Sequence, residues 1–354
     1  MVKQMLEKFI RSRNIEESTI KGYNMSISQY ESFCRMKIDE LIKEAWDDEE
    51  KYRNIHKRKI YDRILDFRTA LLETERYEIS TINNMIIKLQ AIYTHYGVKF
   101  PQIRPLKNKK EQLSYFDLPN KNHIRMALDA TGVQNQAIIL FLASSGMGKS
   151  ECASITIGDF MDATSEYHGG GDLGEIIDEL CATDEPLVPT FSLTRRKTQK
   201  QYYAFCTPEA SLAILKYLKH RMEVLVLKNK RSGGNDELDL SLPLFGTNSR
   251  GINSRLAIIN DKLEFGFKGK FRFFLPYTLR KFFASNIGLG EEYIDILQGR
   301  KRSSIHDAYI KPNPKYLKEI YMNAMDNVTI NSEKEPSAVS DGYNIHIHLH
   351  FHEI

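Results

Sequence analysis

The chain of 354 residues carries 50 lysines and arginines against 46 aspartates and glutamates, a formal net charge of +4, with 42% hydrophobic and 27% charged residues. Those proportions exclude a wholly disordered or collagen-like chain, and the length suits about two domains. No apolar run approaches the roughly 18 residues that span a bilayer, the opening MVKQMLEKFIRSRN does not form a signal peptide, and Cys34, Cys152, Cys181 and Cys206 make no C-x-x-C pair, so the chain reads as cytoplasmic, with reduced thiols.

The first third predicts a small helical domain. A short helix near 2–12 precedes one that Ser18 would cap, whose Ile20, Tyr23, Ile27, Tyr30 and Phe33 or Cys34 recur at steps of three and four along one face. Further helices follow near 38–46, over Ile55–Leu72, and from Ser80 along Ile82, Met85, Leu89, Ile92 and Tyr96 to a stop at Gly97 and Pro101. Positive charge concentrates here: residues 1–110 hold 22 basic against 16 acidic side chains, with Lys57, Arg58 and Lys59 in one run and Lys107, Lys109 and Lys110 in another. A polyanion is the partner this suggests, although the acidic run Asp47–Glu50 beside Lys51–Lys59 equally fits a solvated helix face. The proline- and lysine-rich stretch 101–120 reads as the boundary, with a basic linker at 106–112 between a domain of residues 1–105 and a larger one at 113–327.

The larger part reads as mixed. Helices near 121–131 and 134–145 lead into SSGMGKSE, and the stretch after Ile157, with Gly169, Gly170 and Gly171, reads as an irregular surface insertion. Two β-rich runs, Pro189–Thr194 and Gln201–Cys206, flank RRKTQK and predict a hairpin with a basic tip. Thr207-Pro208-Glu209 then supplies a cap, an N1 proline and an acidic first turn for a helix to about Val224. Helices near 252–264, 276–288, 291–298, 304–310 and 314–325 complete the pattern. In the tail, 328–354, NIHIHLHFHEI puts His346, His348, His350 and His352 on one face of a strand and Ile345, Ile347, Leu349 and Phe351 on the other, which fits a strand added to a sheet edge better than a metal site.

PYTLRKFFASN and LQGRKRSSIHDAYIKP carry the chemistry. Leu279-Arg280, Gly299-Arg300, and Tyr309 nine residues after Arg300 stand in the order and spacing of the His-x-x-Arg motif, the Gly-His box and the nucleophile of the tyrosine recombinases, which this chain resembles from about residue 1 to 330. The resemblance extends to Lys197 at the hairpin tip and to the helical bundle that ends in STINNMIIKLQAIYTHYG. It implies a mainly α fold with a small β-sheet: an N-terminal helical, SAM-like core-binding domain that clamps DNA, and an α+β catalytic domain.

The activity implied is site-specific recombination or integration, with double-stranded DNA as partner, a homo-oligomer of two to four copies on it, and neither cofactor nor metal. Tyr309 would attack the phosphodiester, Arg280 and Arg300 would grip phosphate oxygens, and Lys197 would protonate the leaving oxygen. Arg196 and Lys281, with the basic residues of the first third, would contact DNA. Two departures stand out. Tyr277 replaces the box histidine, and can donate a hydrogen bond but not act as a base near neutral pH. In SSGMGKSE the family pattern T-G-[LM]-R-x-[ST]-E puts its first arginine at Gly148, so either Lys149 takes over from the next position or the protein is a DNA-binding relative that no longer cleaves.

Overall fold

The computed structural model describes residues 2–107, 114–195, 200–232, 238–300 and 313–331. Contacts divide the chain into two compact units, Met1–Gln112 and Leu113–Ile354, each with its own apolar core. Among the described residues no helix is long and apolar enough to cross a membrane.

The first unit is a helical bundle: α1 (Val2–Ser12), α2 (Glu17–Cys34), α3 (Ile38–Lys51), α4 (Lys59–Glu73) and α5 (Ile79–His95). The stripe expected on α2 is inside, with Tyr23, Ile27 and Tyr30 buried, and it meets Phe67 of α4 and Tyr93 of α5 edge to face. The cap is shifted, however: α2 starts at Glu17 and α5 at Ile79, so Ser18 and Ser80 lie in first turns, and the Ncap residues Glu16 and Glu78 make no side-chain cap bond. Residues 101–106 belong to this unit. The Asn83 side chain on α5 donates to the Leu106 carbonyl and accepts from its amide, both at 3.0 Å, and Arg68 donates to the Arg104 carbonyl at 3.1 Å.

The second unit is built on α7 (Val133–Ser145), whose sequence VQNQAIILFLASS is apolar on nearly every face and buried from Ala137 to its end. Its two buried hydroxyls donate back to carbonyls one turn earlier, Ser144 to Leu140 at 2.7 Å and Ser145 to Phe141 at 2.6 Å, so neither polar atom is stranded. Around it stand α6 (Lys121–Asp129), the single turn α8 (Lys149–Cys152), α9 (Ile157–Ala163), α10 (Leu173–Ala182), α11 (Pro208–Ser232), α12 (Ser249–Lys262), α13 (Pro276–Asn286), α14 (Glu291–Leu297) and α15 (Pro314–Ala324). The β structure is two antiparallel pairs: β1 (Phe191–Arg195) with β2 (Lys200–Ala204), and the short ribbon of β3 (Phe267–Lys268) and β4 (Phe271–Arg272). The architecture is thus mainly helical with small sheets, as expected.

Three details differ from the expectation. The stretch after Ile157 is no surface insertion: α9 and α10 put Phe160, Met161, Ile177 and Leu180 into the core, and Asp172 caps α10 through the Glu175 amide. Three consecutive glycines look like a loop, but they only join two buried helices. α11 runs past Val224 to Ser232, and the β3–β4 ribbon, with two residues a strand, is too short to show a period of two. The ribbon nonetheless leads directly into α13. Buried Asn260 of α12 donates to the Gly266 carbonyl and accepts from the Phe274 amide at 2.8 Å, which fixes the chain on either side of the ribbon. Past α15, Val328 and Ile330 are buried, and the Glu209 carboxylate in the first turn of α11 accepts from the Ile330 and Asn331 amides.

Candidate active site

Arg280 organises the site. Pro276 at N1 starts α13, and Thr278 holds its first turn by accepting from the Leu275 amide at 2.9 Å and donating to the Phe273 carbonyl at 2.9 Å. One turn on, the Arg280 guanidinium crosses to α7, donating from Nη1 to the Gly146 carbonyl at 3.0 Å and from Nη2 to the Gln298 carbonyl at 2.9 Å; the Gln298 amide returns a bond to the Arg280 carbonyl at 3.1 Å. Gly146, the C-cap of α7, has φ +62°, and a Cβ there would stand 2.3 Å from the Phe283 ring, so both backbone and space require glycine.

Glu151 of α8 completes the arrangement. Its carboxylate accepts from the Gly148 amide at 2.8 Å, approaches Arg280 Nη1 at 3.5 Å with Oε2, and meets Arg195 Nε at 3.2 Å with Oε1. Arg195, the last residue of β1, also donates from Nη1 to the Gly299 carbonyl at 2.5 Å. Arg300 follows, its backbone amide bonded to the Asp295 carbonyl at 2.8 Å and its guanidinium 3.2 Å from the Asp295 carboxylate. Burial above all, and then the neighbouring guanidiniums of Arg195 and Arg300, pull Arg280 below the ordinary arginine value, with Glu151 opposing. Three arginines and two carboxylates thus leave a net positive site, with forked donors suited to phosphate oxygens.

Of the residues expected from the sequence, Arg280 and Arg300 fall within this cluster. Tyr277, exposed on the outer face of α13, carries the Lys281 ammonium 4.9 Å from its ring centre, one turn along the same helix. Lys149 turns elsewhere: its ammonium lies 3.4 Å from Asn253 Oδ1 on α12. Tyr309, Lys197, Arg196, Lys109, Lys110 and the tail histidines His346, His348, His350 and His352 lie outside the described residues. In the first unit Lys57 and Lys107 are exposed. Arg58 is a correction to the expected DNA-contacting set: it is buried, paired with Glu49 and donating from Nε to the Tyr52 carbonyl at 3.0 Å, so it faces inward. Lys59 pairs with Glu44 at 2.8 Å, so part of the basic run is spent on the acidic helix next to it.

No family model matches the chain, and no curated protein does. Solved structures do. A lambda integrase dimer bound to a COC′ core site is similar at TM-score 0.51 and 11% identity over 87% of this chain and 76% of that one. The lambda integrase(75-356) dimer on a COC′ core site gives 0.50 and 11% over 88% and 98%. The chain has the tyrosine recombinase fold. A XerH site-specific recombinase bound to difH substrate aligns at TM-score 0.46 and 13% identity over 90% of this chain and 83% of that one.

Within the recombinase fold, sequence reading missed three participants. Glu151 was visible only as the last letter of the SSGMGKSE motif, and Gln298 carried no signal at all. Arg195 looked like one of several charges at a turn, yet it shares strand parity with Phe191 and Leu193, whose face turns inward.

Proposed function

We propose that the protein is a site-specific DNA recombinase that cuts and rejoins duplex DNA through a 3′-phosphotyrosyl intermediate on Tyr309. The observation that carries the reading is the gathering of Arg280 and Arg300 around Glu151 and Asp295 at the end of α7, in register with the motif that ends in Tyr309. α15, which follows Tyr309 in the chain, is bonded to the same end of α7, where the Tyr321 hydroxyl donates to the Ser144 carbonyl at 3.0 Å.

In this reading the Tyr309 oxygen bonds to phosphorus as its proton passes to water, the bond from phosphorus to the 5′ oxygen breaks, and the Lys197 ammonium supplies the proton that oxygen takes up. Arg280 and Arg300 hold the charge that builds on the non-bridging oxygens, and preorganisation by carbonyls and carboxylates spares them reorientation during the reaction. Phosphodiester energy is conserved in the tyrosyl link, so resealing needs no outside energy source. Lys57, Lys107, Lys109, Lys110, Arg196 and Lys281 would track the phosphate backbone, and two to four copies would assemble on the recombining sites. The test is to select bound sites from a random duplex library, place a nick beside the candidate phosphate, and look for a denaturant-stable protein–DNA adduct.

Gly148 favours a second reading, a recombinase-like DNA-binding protein without cleavage, because the family's first arginine is missing there. Selective binding with no adduct on any nicked duplex would support it.

A further inference from the structure

We propose that Arg195, reaching in from the hairpin, supplies the phosphate-gripping guanidinium that Gly148 lacks. The inference rests on the recombinase reading and removes the main objection to it. Gly148 has φ −77° and ψ 153°, which any L-residue adopts, so backbone geometry does not explain the glycine. A Cβ at this position would stand 2.7 Å from Glu151 Oε2, the movable end of a side chain, and 3.7 Å from Arg280 Nη1, so a side chain from Gly148 would point toward the cluster that Arg195 enters from the hairpin.

Arg195 meets the requirements of the role. Its Nε and Nη1 are bound to Glu151 and the Gly299 carbonyl, which holds the guanidinium plane fixed, while no bond among the described residues engages Nη2. Its side chain is 23% exposed, against 14% for Arg280, so a ligand can reach it. Its anchor, Gly299, directly precedes Arg300, so the hairpin arginine is tied to the residue that begins the nucleophile-bearing segment. The rival candidate, Lys149, has its ammonium on Asn253 instead. A lysine there would in any case offer a point charge rather than a fork. The guanidinium is thus offered from the end of β1, and Glu151 holds it beside Arg280.

The experiment compares wild type, Arg195→Ala, Arg195→Lys, Gly148→Arg and the double variant Gly148→Arg/Arg195→Ala in adduct formation on the nicked duplex and in the salt dependence of binding to the intact duplex. Removing one preorganised donor should slow adduct formation by roughly a hundredfold or more. Arg195→Lys should lie between, and should fold even if the alanine variant does not. Gly148→Arg alone should gain nothing, but in the double variant it should recover at least about tenfold, because it restores a fork to the vacated space. A merely structural Arg195 would show no such rescue. Each substitution of Arg195 by alanine should also lower the salt slope of duplex binding by about one, a readout that does not depend on cleavage. Arg195→Ala cleaving within about threefold of wild type, or an unchanged salt slope in a protein that binds but never cleaves, would overturn the inference. A wild type that binds without forming an adduct, but whose salt slope falls in Arg195→Ala, would overturn the recombinase reading and leave the phosphate contact standing. Failure to bind duplex DNA at all would overturn both.

Discussion

Arg195 and Arg280, 85 positions apart in the chain, hold opposite oxygens of one carboxylate, that of Glu151, at 3.2 and 3.5 Å. Two guanidiniums this close repel one another, and the carboxylate between them is what makes the pairing stable. Glu151→Gln keeps the size and removes the charge. It should lower unfolding stability by roughly 2 kcal/mol, in the range for a hydrogen bond to a charged group, and slow adduct formation by at least about tenfold. Thermal melts and the nicked-duplex assay check the two effects separately.

Arg280→Lys should be worse for chemistry than for folding. A lysine cannot reach the Gly146 and Gln298 carbonyls together while presenting a fork to phosphate. Adduct formation should fall by about a hundredfold to a thousandfold, with duplex affinity within a few fold of wild type.

Gly299 and Tyr202 offer a test independent of function. Gly299 has φ +58°, and a Cβ would stand 2.9 Å from the Tyr202 ring, so Gly299→Ala should cost about 2 kcal/mol or more through strain and collision. The Tyr202 hydroxyl, by contrast, is buried with no hydrogen-bond partner among the described residues, and burial pushes its pKa well up. Tyr202→Phe removes only that atom and should be neutral or stabilise by up to about 1 kcal/mol. Chemical denaturation of the two variants should therefore move in different directions or by clearly different amounts.

The first unit offers a test that separates structural charges from those proposed to contact DNA. Arg58→Ala should cost roughly 2 kcal/mol, because it strips partners from Glu49 and the Tyr52 carbonyl at a buried position. Lys57→Glu and Lys107→Glu should leave the melting transition nearly in place and weaken duplex binding. The salt slope should drop for the lysine variants and stay unchanged for Arg58→Ala.

How much of the fold and the site was legible depended on whether the signal was local. The α2 stripe was readable because a period of 3.6 in Ile20, Tyr23, Ile27 and Tyr30 reports a buried face directly, and Pro208-Glu209 announced α11 because a proline at N1 is a local matter. The α9–α10 segment was misread because the glycine run dominates a short window, although Asp172 and Glu175 marked a helix start. The inward turn of Arg58 depends on Glu49 of α3, and the grouping of Arg195, Arg280 and Glu151 on three separate elements, so spacing alone could identify the types of residue but not their partners. Motif register pointed to Arg280 and Arg300, which share one cluster; Arg195 was within reach, since strand alternation already set it beside Phe191 and Leu193.

The most direct test of phosphotyrosyl chemistry is the nicked-duplex assay on wild type and Tyr309→Phe, read on a denaturing gel and followed by peptide mapping of the adduct. The expected result is a wild-type adduct mapped to Tyr309, none with Tyr309→Phe, and equal duplex binding by both, since only one hydroxyl is lost. An adduct that persists in Tyr309→Phe, or maps to another residue, would contradict the assignment.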